Sequence, residues 1–254
     1  MTTALITGAT AGIGLEFATQ LAARGHDLVL VARDTTRLEE TAGRLGAAYG
    51  IRVEVLPADL SARRQLQRVA DRVADHARPV DILVNNAGYG LEGGFLDNDL
   101  ATEEAMFDVL CRAVLVLSHA AAGAMVARGS GQIVNVSSVA GYLASGSYAA
   151  AKAYVTVLTE SLATRLAGTG VTATAVCPGF VRTQFHQRAG LDMRGLPGFV
   201  WLDAKGLVRD ALAATDAGKV VVVPSRRYQA AVGLLKLAPR RLARSPAVVS
   251  RHRR

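Results

Sequence analysis

Two kinds of apolar pattern alternate along this chain. Short unbroken runs, Ala4-Leu5-Ile6, Asp27 to Ala32, Ile51 to Leu56, Val80 to Val84, Gln132 to Val136, Val171 to Cys177 and Lys219 to Val223, read as strands of a parallel sheet buried on both faces. Between them apolar residues recur every three or four positions, as at Ile13, Phe17, Ala18 and Leu21 or at Leu66, Val69, Ala70, Val73 and Ala74. That period predicts amphipathic helices packed on the sheet. The chain opens in βαβαβ order, so the fold class is α/β. Helix punctuation agrees: Gly25 ends the first helix, Gly50 closes Thr36 to Tyr49, Ser61 caps Ala62 to Ala77, and further helices cover about Glu103 to Arg128 and Asp203 to Ala217.

Where the first strand turns into the first helix stands TGATAGIG, Thr7 to Gly14. Gly8, Gly12 and Gly14 let the backbone turn sharply and approach a ligand closely, while the first N–H groups of the helix point outward without partners, a cradle for a diphosphate. The spacing is Gly-x-x-x-Gly-x-Gly, not the usual dinucleotide fingerprint. Arg33 follows the second strand at once, where a dinucleotide site meets the adenosine ribose. A carboxylate there binds the 2′-hydroxyl of NAD; a guanidinium matches a 2′-phosphate through forked hydrogen bonds, so Arg33 favours NADP(H) over NAD(H) unless it is an ordinary surface arginine. Asp59 is either a loop residue or a partner for the adenine amino group.

Later strands deliver polar residues to the carboxyl edge of the sheet, where open α/β sheets bind ligands. Asn85 and Asn86 are poor strand formers placed to tie neighbouring strands and loops together. Ser137 and Ser138 end the next strand. Tyr148-Ala-Ala-Ala-Lys152 follows, and on a helix these two side chains leave one face. A phenol of ordinary pKa ~10 becomes an effective acid or base at neutral pH only if its anion is favoured by about three units, roughly 4 kcal/mol. An ammonium one turn away and a positive nicotinamide ring supply that.

Half of the 254 residues are hydrophobic, enough for a substantial core and against disorder of the whole. The net charge of +8 is uneven: nine Lys/Arg and no Asp or Glu follow Ser225, leaving 20 basic against 21 acidic residues before it. Cys111 and Cys177 lie in apolar runs and read as buried free thiols in a reducing compartment, with no metal-binding spacing and no metal expected. Val109 to Val126 is the most apolar helix, yet Arg112 and His119 in its middle argue against a membrane span. The first strand begins almost at Met1, leaving no room for an export signal, so a cytoplasmic location is expected.

TGATAGIG, Asp59, NNAG at Asn85 to Gly88, Ser138, YAAAK at Tyr148 to Lys152 and PGFVRT at Pro178 to Thr183 stand in the order and approximate spacing of the short-chain dehydrogenase/reductase family. The chain resembles that family from about Thr3 to Val223. The resemblance implies a single doubly wound, Rossmann-type domain with a seven-stranded parallel sheet and helices on both faces. It implies an NADP(H)-dependent oxidoreductase acting on a ketone, an aldehyde or the corresponding secondary alcohol. Tyr148 looks like the general acid/base, Lys152 like the residue that lowers its pKa and holds the nicotinamide ribose, and Ser138 like the donor to the substrate oxygen. The cofactor positions carried over from the first half are Gly8, Thr10, Gly12, Ile13, Gly14, Arg33, Asp59 and Leu60. Those from the second half are Asn86, Ala87, Gly88, Tyr148, Lys152, Pro178, Gly179, Val181 and Thr183. Homodimers or homotetramers built through the helices of Met106 to Met125 and Tyr148 to Leu166 are implied as well.

Two departures from the family matter. The interval from Ser138 to Tyr148 is shorter than in many members, so Ser137 or Ser147 can compete for the serine role, although strand alternation favours Ser138. The run MFDVLCRAV puts Leu110, or one step away Cys111, where many members carry an asparagine of a proton relay. The expectation is a relay through solvent or through a backbone carbonyl held differently. The missing amide keeps open a rival class, a low-turnover NADP(H)-binding sensor or scaffold of the same fold. Epimerase or dehydratase chemistry on nucleotide sugars needs a larger substrate portion.

The domain is expected to span residues 1–224, including a substrate lid at 184–202 whose Phe185, Leu191, Met193, Leu196, Phe199, Val200 and Trp201 are separated by glycines. A loop packed on the core is the alternative. Residues 225–254 form a basic tail with an apolar helical set, Ala230, Ala231, Leu234, Leu235 and Ala238. This set suits either a solvated terminus or contact with an anionic membrane surface and an apolar, lipid-like substrate. Nucleic-acid binding is not expected, because only Tyr228 offers a stacking ring there.

Overall fold

The computed structural model describes residues 2–183 and 197–237. Its first half comprises β1 (Thr3–Thr7), α1 (Gly12–Ala23), β2 (Asp27–Ala32), α2 (Thr35–Tyr49), β3 (Val53–Pro57), α3 (Arg63–Ala74) and β4 (Ile82–Asn85). One long rod follows: α4 (Leu100–Phe107), a π-helical turn (Asp108–Arg112) and α5 (Ala113–Arg128). Then come β5 (Gly131–Val136), α6 (Gly146–Leu166), β6 (Val171–Val176), α7 (Ala204–Asp216), β7 (Val221–Val222) and α8 (Arg226–Leu237). The strands form one parallel sheet in the order β3-β2-β1-β4-β5-β6-β7. The fold is therefore the doubly wound, Rossmann-type sheet of seven strands, and its order reverses between β1 and β4, where a crevice opens at the carboxyl ends.

The unbroken apolar runs have a direct explanation, because each strand feeds two cores. Ala4, Ile6, Leu28 and Leu30 face one way and pack with Phe17 and Leu21 of α1 and Leu207, Val208 and Leu212 of α7. Leu5, Val29 and Val31 face the other way and pack with Leu66, Val69 and Val73 of α3 and Leu117, Ala121 and Met125 of α5. The α4–α5 rod is long and apolar enough to cross a membrane by length and composition, but half of that stretch is buried against the domain. It is a core helix, in line with Arg112 and His119.

Several boundaries differ from the sequence reading. Ser61 does not cap α3; its N–H and hydroxyl both donate to Asp59 Oδ1 (2.9 and 2.7 Å), and the cap position is Ala62, which offers no side-chain bond. The helix also stops at Ala74, three residues early, and the Asp75 carboxylate accepts the N–H of Ala77. The long rod begins at Leu100 instead of Glu103, because Asp99 accepts the Thr102 N–H at 2.7 Å. Asp34 and Asp203 cap α2 and α7 in the same way.

Of the expected basic tail, residues 226–237 are described and 238–254 lie outside the described residues. Residues 226–237 form α8, which buries Val232 and half-buries Tyr228 and Leu235 against the domain. Ala230, Ala231 and Leu234 of the expected apolar set face outward, and Ala238 lies outside the described residues. Docking thus shares only Leu235 with the face expected to meet a membrane. Of the expected lid, 184–196 lies outside the described residues. Of residues 197–202, Leu202 packs on the core and forms a β-bridge with Val181, Trp201 lies 6.0 Å from the Phe180 ring, and Phe199 is exposed.

Candidate active site

The glycine loop occupies the mouth of the crevice. Gly8 and Gly12 have φ of +67° and +54°, and a Cβ on Gly14 would lie 2.3 Å from both the Gly8 carbonyl oxygen and Asn86 Nδ2, so this backbone admits no side chain there. The Asn86 amide donates to the carbonyls of Thr7 (3.0 Å) and Gly8 (3.3 Å), while Thr7 Oγ1 accepts the N–H groups of Asn86 and Ala87, each at 3.0 Å. Loop and strand end are thereby locked together. At the start of α1 no side chain caps the helix, in contrast to the aspartate caps of α2, α4 and α7. Uncapped N–H groups at a helix start beside packed glycines suit an anionic diphosphate. Thr183, arriving from β6, packs within 3.1 Å of where a Gly12 Cβ would stand, and so joins the cradle.

At the adenosine end, Arg33 is exposed just past β2 and lies close enough to Asp59 and Tyr89 to act on both electrostatically. Burial works to raise the Asp59 carboxyl, but the Ser61 hydrogen bonds and Arg33 outweigh it and hold it below the ordinary range. Leu60 is buried in the core, so only its backbone faces the crevice side. Ile13 is partly buried against the core beside α1.

At the other end the two adjacent serines separate cleanly. Ser137 turns inward and its hydroxyl donates to the Lys152 carbonyl (2.7 Å) and meets Thr156 Oγ1 (2.8 Å), fixing α6 to β5. Ser138 turns to the crevice, accepts the Ala140 N–H at 3.1 Å, and hydrogen-bonds the Tyr148 hydroxyl. Ser147 lines a separate surface groove with Phe95, Leu100 and Phe107. Alternation along β5 therefore turns Ser138, and not Ser137, towards Tyr148. Lys152 is 5% exposed, donates to the Val136 carbonyl at 2.8 Å, and lies 5.7 Å from the centre of the Tyr148 ring.

The electrostatics of this pair differ from the sequence expectation. Burial pulls the Lys152 ammonium down to about 8, with the Cys111 and Cys177 sulfurs acting against it. Burial also pushes the Tyr148 phenol up to about 12, with the Ser138 hydrogen bond acting against it. The polypeptide alone therefore holds the phenol firmly protonated and does not depress it. Desolvation is the largest influence on both groups, and it disfavours the charged form of each.

Leu110, 1% exposed, fills the position expected for an amide and reaches within 2.7 Å of where a Gly88 Cβ would stand, with Lys152 Nζ at 3.8 Å. The π-helical turn falls on this residue, as such turns often do beside functional sites. Asn85 and Asn135, both buried, bond to each other at 2.9 Å and onward to Ser118 and Thr159, tying β4 and β5 to α5 and α6.

A family model for short chain dehydrogenases matches residues 2–194. The chain belongs to the short-chain dehydrogenase family. Among its relatives, the ketoacyl reductase HetN of Nostoc sp. is 35% identical over 182 residues, covering 70% of this chain and 63% of that protein. A short-chain dehydrogenase from Sphingobium yanoikuyae in complex with NADPH superposes with a TM-score of 0.85 at 38% identity, over 93% of this chain and 94% of that one. A relative from Burkholderia phymatum in complex with NAD superposes at 0.80 with 28% identity, over 92% of each chain. This short-chain dehydrogenase thus belongs to a family of nicotinamide-dependent oxidoreductases that act on small carbonyl and alcohol substrates.

Four residues of the site were not singled out beforehand. Thr7 locks the glycine loop, and its signal was a hydroxyl at a strand end just before Gly8. Tyr89 packs with Leu91 and Tyr148 on Met106, Leu110 and Cys111. Gly141 lets the short loop after Ser138 lie on α6, since a Cβ there would sit 2.8 Å from the Ala153 nitrogen. Tyr228, the lone aromatic of the basic segment, covers Gly179.

Proposed function

We propose that this short-chain dehydrogenase is an NADP(H)-dependent carbonyl reductase whose substrate is apolar, with Ser138, Tyr148 and Lys152 as its catalytic residues. The observation that carries the reading is the Ser138–Tyr148 hydrogen bond at the crevice edge with a desolvated Lys152 one helical turn away. Bound along the crevice, the nicotinamide supplies or accepts the hydride. Ser138 donates a hydrogen bond to the substrate carbonyl oxygen and polarises it. Tyr148, protonated at neutral pH, gives its proton to that oxygen as negative charge develops there. Lys152 stabilises the resulting phenolate and is placed to hold the nicotinamide ribose. A phenol that stays protonated at neutral pH is already in the form that reduction starts from, so the reading favours reduction over alcohol oxidation.

The preference for NADP(H) rests on Arg33, a guanidinium exposed just past the end of β2 where a carboxylate would serve NAD(H). Apolar substrate character rests on Tyr89, Leu91, Phe180 and Trp201 around the crevice. Assembly into homodimers or homotetramers is part of the same reading, supported by the exposure of Phe107 on α4, Leu115 on α5, and Tyr154 and Val157 on α6. The deciding experiment is NADPH oxidation with a panel of apolar ketones, compared with Tyr148→Phe. The expected result is a kcat lower by about 10²- to 10⁴-fold with NADPH binding retained. Equal turnover in the two proteins removes Tyr148 from the acid role, and none in either with nucleotide bound favours the sensor reading.

A further inference from the structure

The carboxyl end of β6 continues into Pro178-Gly179-Phe180-Val181-Arg182-Thr183, and the chain returns through Pro197 to Leu202 beside it. Three backbone links join the two segments: the Val181–Leu202 bridge, the Leu202 N–H donating to the Phe180 carbonyl (2.7 Å), and the Arg182 N–H donating to the Leu202 carbonyl (3.1 Å). One side chain from outside holds both. The Tyr228 hydroxyl donates to the Val200 carbonyl at 2.8 Å and accepts the Phe180 N–H at 3.2 Å. Its ring lies flush on Gly179, where a Cβ would come within 2.1 Å of Tyr228 Cζ. Arg227 adds a donor to the Phe199 carbonyl at 2.8 Å.

Further along α8, the Lys236 ammonium stands 5.3 Å over the Tyr142 ring, in the loop that follows Ser138. That loop is itself joined to the β6 end, since the Val139 N–H donates to the Pro178 carbonyl at 2.9 Å. α8 therefore touches both flanks of the crevice that holds the Tyr148 hydroxyl.

From this we propose that Tyr228 is a positioning residue for carbonyl substrates, fixing the Gly179–Arg182 wall and the returning 197–202 segment as one unit. The proposal rests on the oxidoreductase reading. Tyr228 makes no proton transfer; it sets the distance between the substrate-side wall and the Ser138–Tyr148 pair, so it governs how well a ketone is held more than how fast it is protonated. The aromatic ring is accommodated only because residue 179 is glycine, so the two positions act as a matched pair.

Tyr228→Phe tests this, because it keeps the ring on Gly179 and removes both hydroxyl bonds. Steady-state kinetics with a ketone accepted by the wild type, NADPH affinity by fluorescence titration, and amide hydrogen exchange at Phe180 are read together. Expected are a KM for the ketone raised about tenfold with kcat within about twofold of wild type, a smaller loss of NADPH affinity through the cofactor positions Gly179 and Val181, and faster exchange at Phe180. Gln229→Ala is the control on the same helix, since its amide donates to the Val223 carbonyl at 2.9 Å, away from the crevice; its KM should not move. An unchanged ketone KM in Tyr228→Phe overturns the proposal, and so does an equal rise in Gln229→Ala, which would trace the effect to helix stability. A wild type that binds NADPH but reduces no carbonyl overturns the oxidoreductase reading and this role with it, so the two failures are told apart.

Discussion

The two halves of the crevice are held by different means. Around β1, α1 and β4 the geometry is set by backbone: glycines with no space for a Cβ, uncapped N–H groups, and carbonyls tied by Asn86. Around β5, α6 and β6 it is set by side chains reaching across elements, namely Asn85 to Asn135 to Thr159, Ser137 to Thr156, and Tyr228 to the β6 exit. The first arrangement suits a ligand part common to every turnover, where close approach matters more than selectivity. The second places titratable groups in a dry environment and leaves the wall beside them adjustable by substitution.

Replacing Lys152 should give the largest effect and the sharpest contrast. Lys152→Met should lower kcat by at least about 10²-fold. The folded protein should nonetheless become more stable at pH 7. In the folded state the ammonium titrates at about 8 against an ordinary 10.5, so its burial costs up to about 3 kcal/mol below pH 8. The unfolded chain binds the extra proton between those values, so the wild type gains stability as pH rises from about 8 to 10.5 and the advantage of the variant fades over that window. Thermal melts of both proteins across pH 6–11 check the sign. In the wild type, kcat/KM for reduction should fall on the alkaline side with an apparent pKa near 8 as Lys152 loses its charge.

The backbone-built half should fail in another way. Gly14→Ala forces a methyl against the Gly8 carbonyl and Asn86, and should weaken NADPH binding at least about tenfold and lower stability by about 1–3 kcal/mol, as seen by titration and melting. Arg33→Ala should raise the KM for NADPH about 10- to 100-fold and leave that for NADH nearly unchanged, the magnitude of lost charge-assisted bonds. Gly43→Ala, on the exposed side of α2 with no atom near its Cβ, should raise stability by about 0.5–1 kcal/mol without touching kinetics. A neutral Gly14→Ala would erase the distinction between the halves.

Strand positions were legible in the sequence because each strand carries apolar residues on both faces. Ser138 was separable from Ser137 for the same period-two reason. Helix starts were less legible: Ser61 has the right chemistry for a cap, but Asp59 takes its hydroxyl, while Asp99 caps three residues ahead of where the apolar period begins. α8 has two apolar faces, and only the surface it meets decides that Tyr228, Val232 and Leu235 go inward. The burial acting on Tyr148 was not legible, because the sequence displays the charge of Lys152 but not the desolvation that acts on both groups.

Both outer strands of the sheet run into a proline, Pro57 at the end of β3 and Pro224 two residues after β7, and β7 is only two residues long. A ring nitrogen withholds the hydrogen that an incoming strand needs, so these margins resist lateral extension of the sheet and the fibrous aggregation it invites. Copies of this enzyme that associate are thereby steered away from edge-to-edge growth and towards closed contacts between helical faces.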